Sequence, residues 1–315
     1  MTAGWGDLAA AAGRRRTKAQ PGPGRTPEAL LRALDLTVGR RIRGLLPGEY
    51  RAHDLGGGTE LAQVRPYEPG DDVRRIDWNV TARTTIPHVR VHVPERALTA
   101  WLLLDVSPSM TFGTADRRKA DVAEGVAVAL GHLATQRGNR LGIVTFGGTR
   151  DRRIPPAAGR MGLLGLLRAA RVEGVEEGTG VTSPVEALRI ANAPAPGGGL
   201  VVIVSDFRGP RDWLPALAAV AARHHVIAVE VDDPRESELT DVGELTLIDA
   251  ETGREVRVDT SSARLRDRFA AAAAAERASL ATELRRVRVD HIALSTAGSW
   301  LRTLASELRV RGLRS

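Results

Sequence analysis

Two kinds of hydrophobic pattern alternate along most of this chain. Short, nearly unbroken apolar runs occur at Leu98–Leu104 (LTAWLLL), Leu141–Phe146 (LGIVTF), Leu200–Ser205 (LVVIVS) and Val226–Val231 (VIAVEV). Runs of this length and continuity read as strands covered on both faces. Between and after them, apolar residues recur at helical spacing over Arg118–Arg137, Met161–Ala170, Pro184–Ala191, Trp213–Arg223, Ser262–Arg286 and Trp300–Leu308. In the first of these, Ala123, Val126, Ala127, Leu130 and Leu133 fall on one face. His291–Ser295 reads as a last strand, Arg153–Ala157 as an edge strand, and Glu244–Asp249 with Glu255–Val258 as a hairpin around Thr252-Gly253. The alternation predicts an α/β fold, a doubly wound and mostly parallel sheet with helices on both sides, over residues 98–310.

The pattern differs ahead of Leu98. Residues 1–26 are Ala, Gly, Arg and Pro and read as a disordered basic tail. Thr26-Pro27-Glu28 has the order of an N-cap followed by proline at the first helical position, with Leu30, Leu31 and Leu34 behind it. Short strand-like runs at Leu61–Val64 and His88–Val93, with turns at Gly56–Gly58 and Pro69-Gly70, then make residues 27–97 a helix followed by a small β-rich region.

Composition removes several classes of function. With no cysteine, disulfides, thiol catalysis and thiolate metal sites are excluded. No apolar stretch approaches the ~20 residues of a membrane span, and the first basic residues, Arg14–Arg16, follow the N-terminal apolar patch rather than precede it. A cytoplasmic protein is expected. The net charge of +7 would point to nucleic acid if it were focused on the body, but it is not. Residues 1–50 hold nine Arg/Lys against four Asp/Glu, residues 300–315 four against one, and the middle balances to −1. Specific nucleic-acid binding is not expected.

Candidate chemistry begins where the first apolar strand ends. Asp105-Val106-Ser107-Pro108-Ser109 places oxygen side chains at i, i+2 and i+4 just outside that strand, the edge at which open α/β sheets bind ligands. Asp206 stands at the end of LVVIVS in the same way, so a parallel sheet brings both carboxylates to one edge. The loop Gly178–Pro184 contributes Thr179 or Thr182. Hard oxygens without Cys or His suit Mg²⁺, Mn²⁺ or Ca²⁺ and disfavour zinc. The first five residues alone also fit a simple turn capping the next helix. The seven histidines show no ligand spacing, and no nucleophile stands beside a base in sequence. The expectation is therefore a protein that is not an enzyme, with a metal-dependent phosphohydrolase using the strand-end aspartates as the competing reading.

The order D-x-S-x-S, then Thr, then Asp at successive strand ends resembles the metal-ion-dependent adhesion site of von Willebrand factor A domains. That resemblance implies Mg²⁺ or Mn²⁺ held by Asp105, Ser107, Ser109, Thr182 and Asp206. The resemblance also implies Thr182 rather than Thr179, since in that family the threonine stands shortly ahead of an Ala-Leu helix, here Ala187-Leu188. A second pattern, Arg65-x-Tyr67-x-x-Gly70-Asp71-x-x-Arg74-x-Ile76-Asp77-Trp78-x-x-x-Ala82-Arg83, resembles an uncharacterised bacterial family. In that family a small β region precedes a von Willebrand A-like domain, and the genes neighbour MoxR-type AAA+ ATPases. It implies a protein-interaction module that takes an Asp or Glu carboxylate of a partner, such as a MoxR-type AAA+ ATPase, in chaperone-like assembly. Read as chemistry, the same pattern predicts Ile76 and Trp78 in a core, and Arg74, Asp77 and Arg83 in an ion-paired network.

Overall fold

A computed structural model describes residues 60–93, 99–134, 139–148, 152–158, 183–192, 199–248 and 253–312, which fall into two compact units. The expected N-terminal tail and helix, the helix at Met161–Ala170 and the Thr179/Thr182 loop lie outside these residues.

The smaller unit pairs β1 (Glu60–Pro66) with β2 (His88–Val93) in antiparallel fashion around α1 (Trp78–Thr84). Its hallmark residues are arranged differently from the expectation. Trp78 is 70% exposed rather than in a core, and Ile76 is half-buried. Asp77 explains this. Its Oδ1 accepts from the Asn79 and Val80 amides, so Asp77 caps the helix and Trp78 becomes its first residue. The other Asp77 oxygen takes Arg90 Nε at 2.9 Å, so its ion pair is with the strand and not with Arg74 or Arg83. Arg65 grips Asp71 through both guanidinium ends, at 2.8 and 2.7 Å.

The larger unit is built on a six-stranded sheet of β3 (Thr99–Asp105), β4 (Arg140–Phe146), β5 (Arg153–Ala158), β6 (Leu200–Ser205), β7 (His225–Asp232) and β10 (Asp290–Ser295). The order is β10-β7-β6-β3-β4-β5, parallel throughout except for the edge strand β5. Alternate residues of β3 face opposite layers. Leu102 and Leu104 pack with α2 (Lys119–Ala134) and α6 (Trp300–Gly312). Trp101 and Leu103 pack with α3 (Val185–Ala191), α4 (Leu214–Ala221) and the C-terminal half of α5 (Ala263–Arg286). Gly142 is required inside β4, since a Cβ there would stand 2.6 Å from the Trp101 ring. A separate ribbon of β8 (Glu244–Ile248) and β9 (Glu255–Asp259) matches the expected hairpin. This is the doubly wound α/β architecture that the apolar runs predict. Among the described residues, no helix is long and apolar enough to cross a membrane.

Candidate metal centre

The chain forms β3 first, adds β4 on one side and then places β6 on the other, so the sheet's order reverses between β3 and β6. Ligands of open α/β sheets bind outside the carboxyl ends of the strands at such a switch point. Leu104 pairs with Val204, which sets Asp105 opposite Ser205 with Asp206 one residue on. The edge continues across the sheet: β7 ends at Asp232 and Asp233, and β10 at Ser295 and Thr296.

Local geometry converts D-x-S-x-S into a cluster. Pro108 opens a short 3-10 turn, Pro108–Thr111, with Ser107 extended ahead of it and making no side-chain cap. The following helix starts only at Lys119, so these serines do not cap it. The hydroxyls of Ser107 and Ser109 instead lie 3.0 Å apart, both buried. Asp105 Oδ1 accepts from the Ser107 amide at 2.9 Å, and Asp105 Oδ2 from the Ser205 hydroxyl at 2.6 Å. The Ser109 side chain is among the neighbours that hold the Asp206 carboxyl below its ordinary range. Asp105, Ser107, Ser109 and Asp206 are thus brought together, all buried, at one edge of the sheet. Phe207, next to Asp206, is held in the left-handed region at φ 53°, which is costly for a residue with a side chain and fits a backbone constrained around a site.

Sequence reasoning missed four members. Lys119, fully buried at the start of α2, sends Nζ to Asp206 Oδ2 and to Glu236 Oε1, each at 2.6 Å. The same ammonium lies 5.9 Å from the centre of the Phe112 ring. Glu236 Oε2 accepts from the Asp233 amide, while Asp233 takes the hydroxyls of Thr114 and Thr296 at 2.6 Å each. Ser205 is the fourth. One signal was present: Asp232-Asp233-Pro-Arg-Glu236 is a third acidic strand end, in line with those after β3 and β6. Lys119 left a fainter one, as one of two lysines among 45 cationic residues.

The electrostatics divide the two aspartates. Burial alone would raise the Asp206 carboxyl, but the charge and hydrogen bond of Lys119, with Arg208 beyond, hold it below the ordinary carboxylate range. Burial pulls the Lys119 ammonium down, and the charges of Asp206 and Glu236 more than reverse this. Among the described residues, Asp105 has no ion-pair partner. Burial, then the neighbouring charge of Asp206, push its carboxyl up to about 6 against the hydrogen bonds that favour ionisation. A small recess exposes this end of the site, with Asp105, Ser205 and Asp206 beside Phe146, Phe207 and Trp213, and with Arg208 and Pro184 also lining it. Pro184 caps α3, so the chain leaving the Thr179/Thr182 loop arrives at the recess.

The donor set fits a hard divalent cation in type: two carboxylates and two hydroxyls, all oxygen, with one carboxylate lacking a positive neighbour among the described residues. Among the described residues no three His, Cys, Asp or Glu side chains are grouped to hold a metal. A metal site here would therefore draw on the hydroxyls of Ser107 and Ser109 as well as on the carboxylates.

Fold and site together define a doubly wound α/β domain with an oxygen-lined strand-end cluster. Residues 63–279 match the family described as "Protein of unknown function DUF58", and the chain belongs to that family. It is 44% identical over 280 residues to "Uncharacterized protein Rv1480" of Mycobacterium tuberculosis (strain ATCC 25618 / H37Rv), covering 87% of this chain and 86% of the relative. Among solved structures it is similar to the conserved hypothetical protein BatB from Bacteroides thetaiotaomicron, with 12% identity and a TM-score of 0.44, covering 70% of this chain and 100% of that one. It is also similar to a von Willebrand factor type A structure from Catenulispora acidiphila, with 14% identity and a TM-score of 0.37, covering 70% and 42%. These scores are too low to carry a function across.

Proposed function

We propose that this chain is a divalent-metal-dependent protein-interaction module. Asp105, Ser107, Ser109 and Asp206 would hold one Mg²⁺ or Mn²⁺, with Thr182 added from the loop ahead of α3. The observation that carries this reading is the position of Asp105, a buried strand-end carboxylate at the switch point, bonded to the Ser107 amide while the Ser107 hydroxyl meets that of Ser109, and with no cation against it among the described residues. When bound, the cation would supply a Lewis-acidic position for an oxygen from outside. A hard cation prefers a charged oxygen, so the occupant of that position is an Asp or Glu of a partner protein. Phe146, Phe207 and Trp213 beside the recess would exclude water from that contact, and Arg208 adds a positive charge near it. By family resemblance the partner is a MoxR-type AAA+ ATPase, or its client, with this chain as adaptor.

The test is a Mn²⁺ titration of purified protein, combined with affinity capture from cell extract. One site per chain is expected, lost in Asp105→Ala with the fold retained by circular dichroism. A AAA+ ATPase or its client should be recovered in Mg²⁺ and not in EDTA. Metal-independent capture would remove the mechanism. Phosphoester turnover abolished by Asp105→Asn would replace this reading with the phosphohydrolase.

A further inference from the structure

A lysine opens α2, buried beneath the cluster, and each aspect of its placement is unfavourable by itself. Lysine is among the residues least often fully buried. A cation in the first turn of a helix opposes the macrodipole, whose N-terminal end is positive. Nor does the composition of the chain account for it. Of 45 cationic residues only Lys18 and Lys119 are lysine, so arginine is the chain's ordinary cation and this position departs from it. An ammonium is compact and its three donors can point to separate acceptors, whereas a guanidinium is a wide planar fork. At 2.6 Å from Asp206 Oδ2 and 2.6 Å from Glu236 Oε1, Nζ fills the space between two carboxylates from different strand ends. The remaining Asp206 oxygen accepts from the Arg208 amide at 3.2 Å.

We infer that Lys119 is a built-in counter-cation that competes with the divalent metal for Asp206 and sets the metal affinity of the site low. The inference rests on the reading that Asp105, Ser107, Ser109 and Asp206 hold that metal. Asp206 has one charge to share, and Lys119 has already engaged it. A metal arriving at Asp105 meets a second ligand whose charge is compensated, and it also feels the repulsion of a buried ammonium in a medium that screens poorly. Glu236 draws the same ammonium from the far side and so loosens its hold on Asp206. Lys119 is thus a positioning residue: it is fully buried and cannot itself meet a partner's carboxylate.

The test is Mn²⁺ titration, by calorimetry and by the electron paramagnetic resonance signal of free Mn²⁺, on the full chain and three variants. Lys119→Met frees Asp206 but leaves two buried carboxylates with only Arg208 near them, 3.7 Å from Glu236 Oε2, which threatens folding. The double variant Lys119→Met/Glu236→Gln removes one charge of each sign and keeps the buried net charge unchanged. Glu236→Gln alone leaves Lys119 to Asp206. The double variant should bind Mn²⁺ at least about tenfold more tightly than the natural chain, and Glu236→Gln more weakly. A merely structural lysine predicts equal or weaker binding in every variant. That result, alongside a natural chain that binds, overturns the inference and leaves the metal reading intact. Binding by the double variant and not by the natural chain upholds the inference and removes the metal-dependent function. No binding by any of them, with all folded, ends both.

Discussion

Asp105 accepts hydrogen bonds from Ser107 and Ser205, yet its carboxyl is raised to about 6, because neutral donors do not offset burial beside the charge of Asp206. This has a consequence for stability. The group's pKa is higher in the folded chain than the ordinary 3.8, so between those values the folded state binds the proton more tightly than the unfolded state does. Metal-free protein should be most stable with respect to this group below about pH 4. It should lose on the order of 3 kcal/mol as pH rises to about 6, and change no further above that. Urea unfolding at pH 4 to 7 in EDTA measures this as the difference between the natural chain and Asp105→Asn, whose amide cannot titrate. Identical slopes in the two proteins would mean that the carboxylate is compensated by charge elsewhere. Mg²⁺ should flatten the slope of the natural chain, because a cation stabilises the ionised form. At this scale the sequence was legible only in part. Asp105, Ser107 and Ser109 could be read because they meet within five residues. Lys119 and Glu236 could not, because their contact spans 117 positions and depends on where two strands end.

Elements were legible in proportion to how fully each is buried. The strands β3, β4, β6 and β7 are apolar at nearly every position because both faces are covered, and such runs have few other interpretations. The hallmark region misleads for the opposite reason. A two-stranded ribbon with a seven-residue helix offers little interior, and Val89 is its one fully buried apolar side chain among the described residues. An aromatic residue there does not imply a core. Trp78 sits at the first position of α1 and is exposed, so Trp78→Ala should change stability by no more than about 0.5 kcal/mol. Asp77→Ala should do clearly more, since it removes both the helix cap and the partner of Arg90. Amide hydrogen exchange separates the two, accelerating at Asn79 and Val80 in Asp77→Ala and remaining unchanged in Trp78→Ala. Acceleration in Trp78→Ala instead would return that ring to a structural role.

At the scale of the whole molecule, the family match runs through both units while the chemistry is concentrated in one. The hydrophobic layers on the two faces of the six-stranded sheet are drawn from residues of the larger unit, as are Asp105, Ser107, Ser109, Lys119, Asp206 and Glu236. A unit that supplies its own core on both sides of a sheet satisfies the requirement for independent folding. Residues 98–315 produced alone should therefore unfold cooperatively and bind Mn²⁺ within about threefold of the full chain, because every described residue of the site belongs to that unit. Capture of the partner is the informative second measurement. If the carboxylate–metal contact is sufficient, the fragment recovers the same protein from extract in Mg²⁺ and loses it in EDTA. If the fragment binds metal normally but recovers nothing, recognition lies in residues 47–97, and the exposed Trp78 becomes the first residue to substitute in the full chain. A fragment that fails to fold would show that the larger unit depends on the smaller one despite its two-sided core.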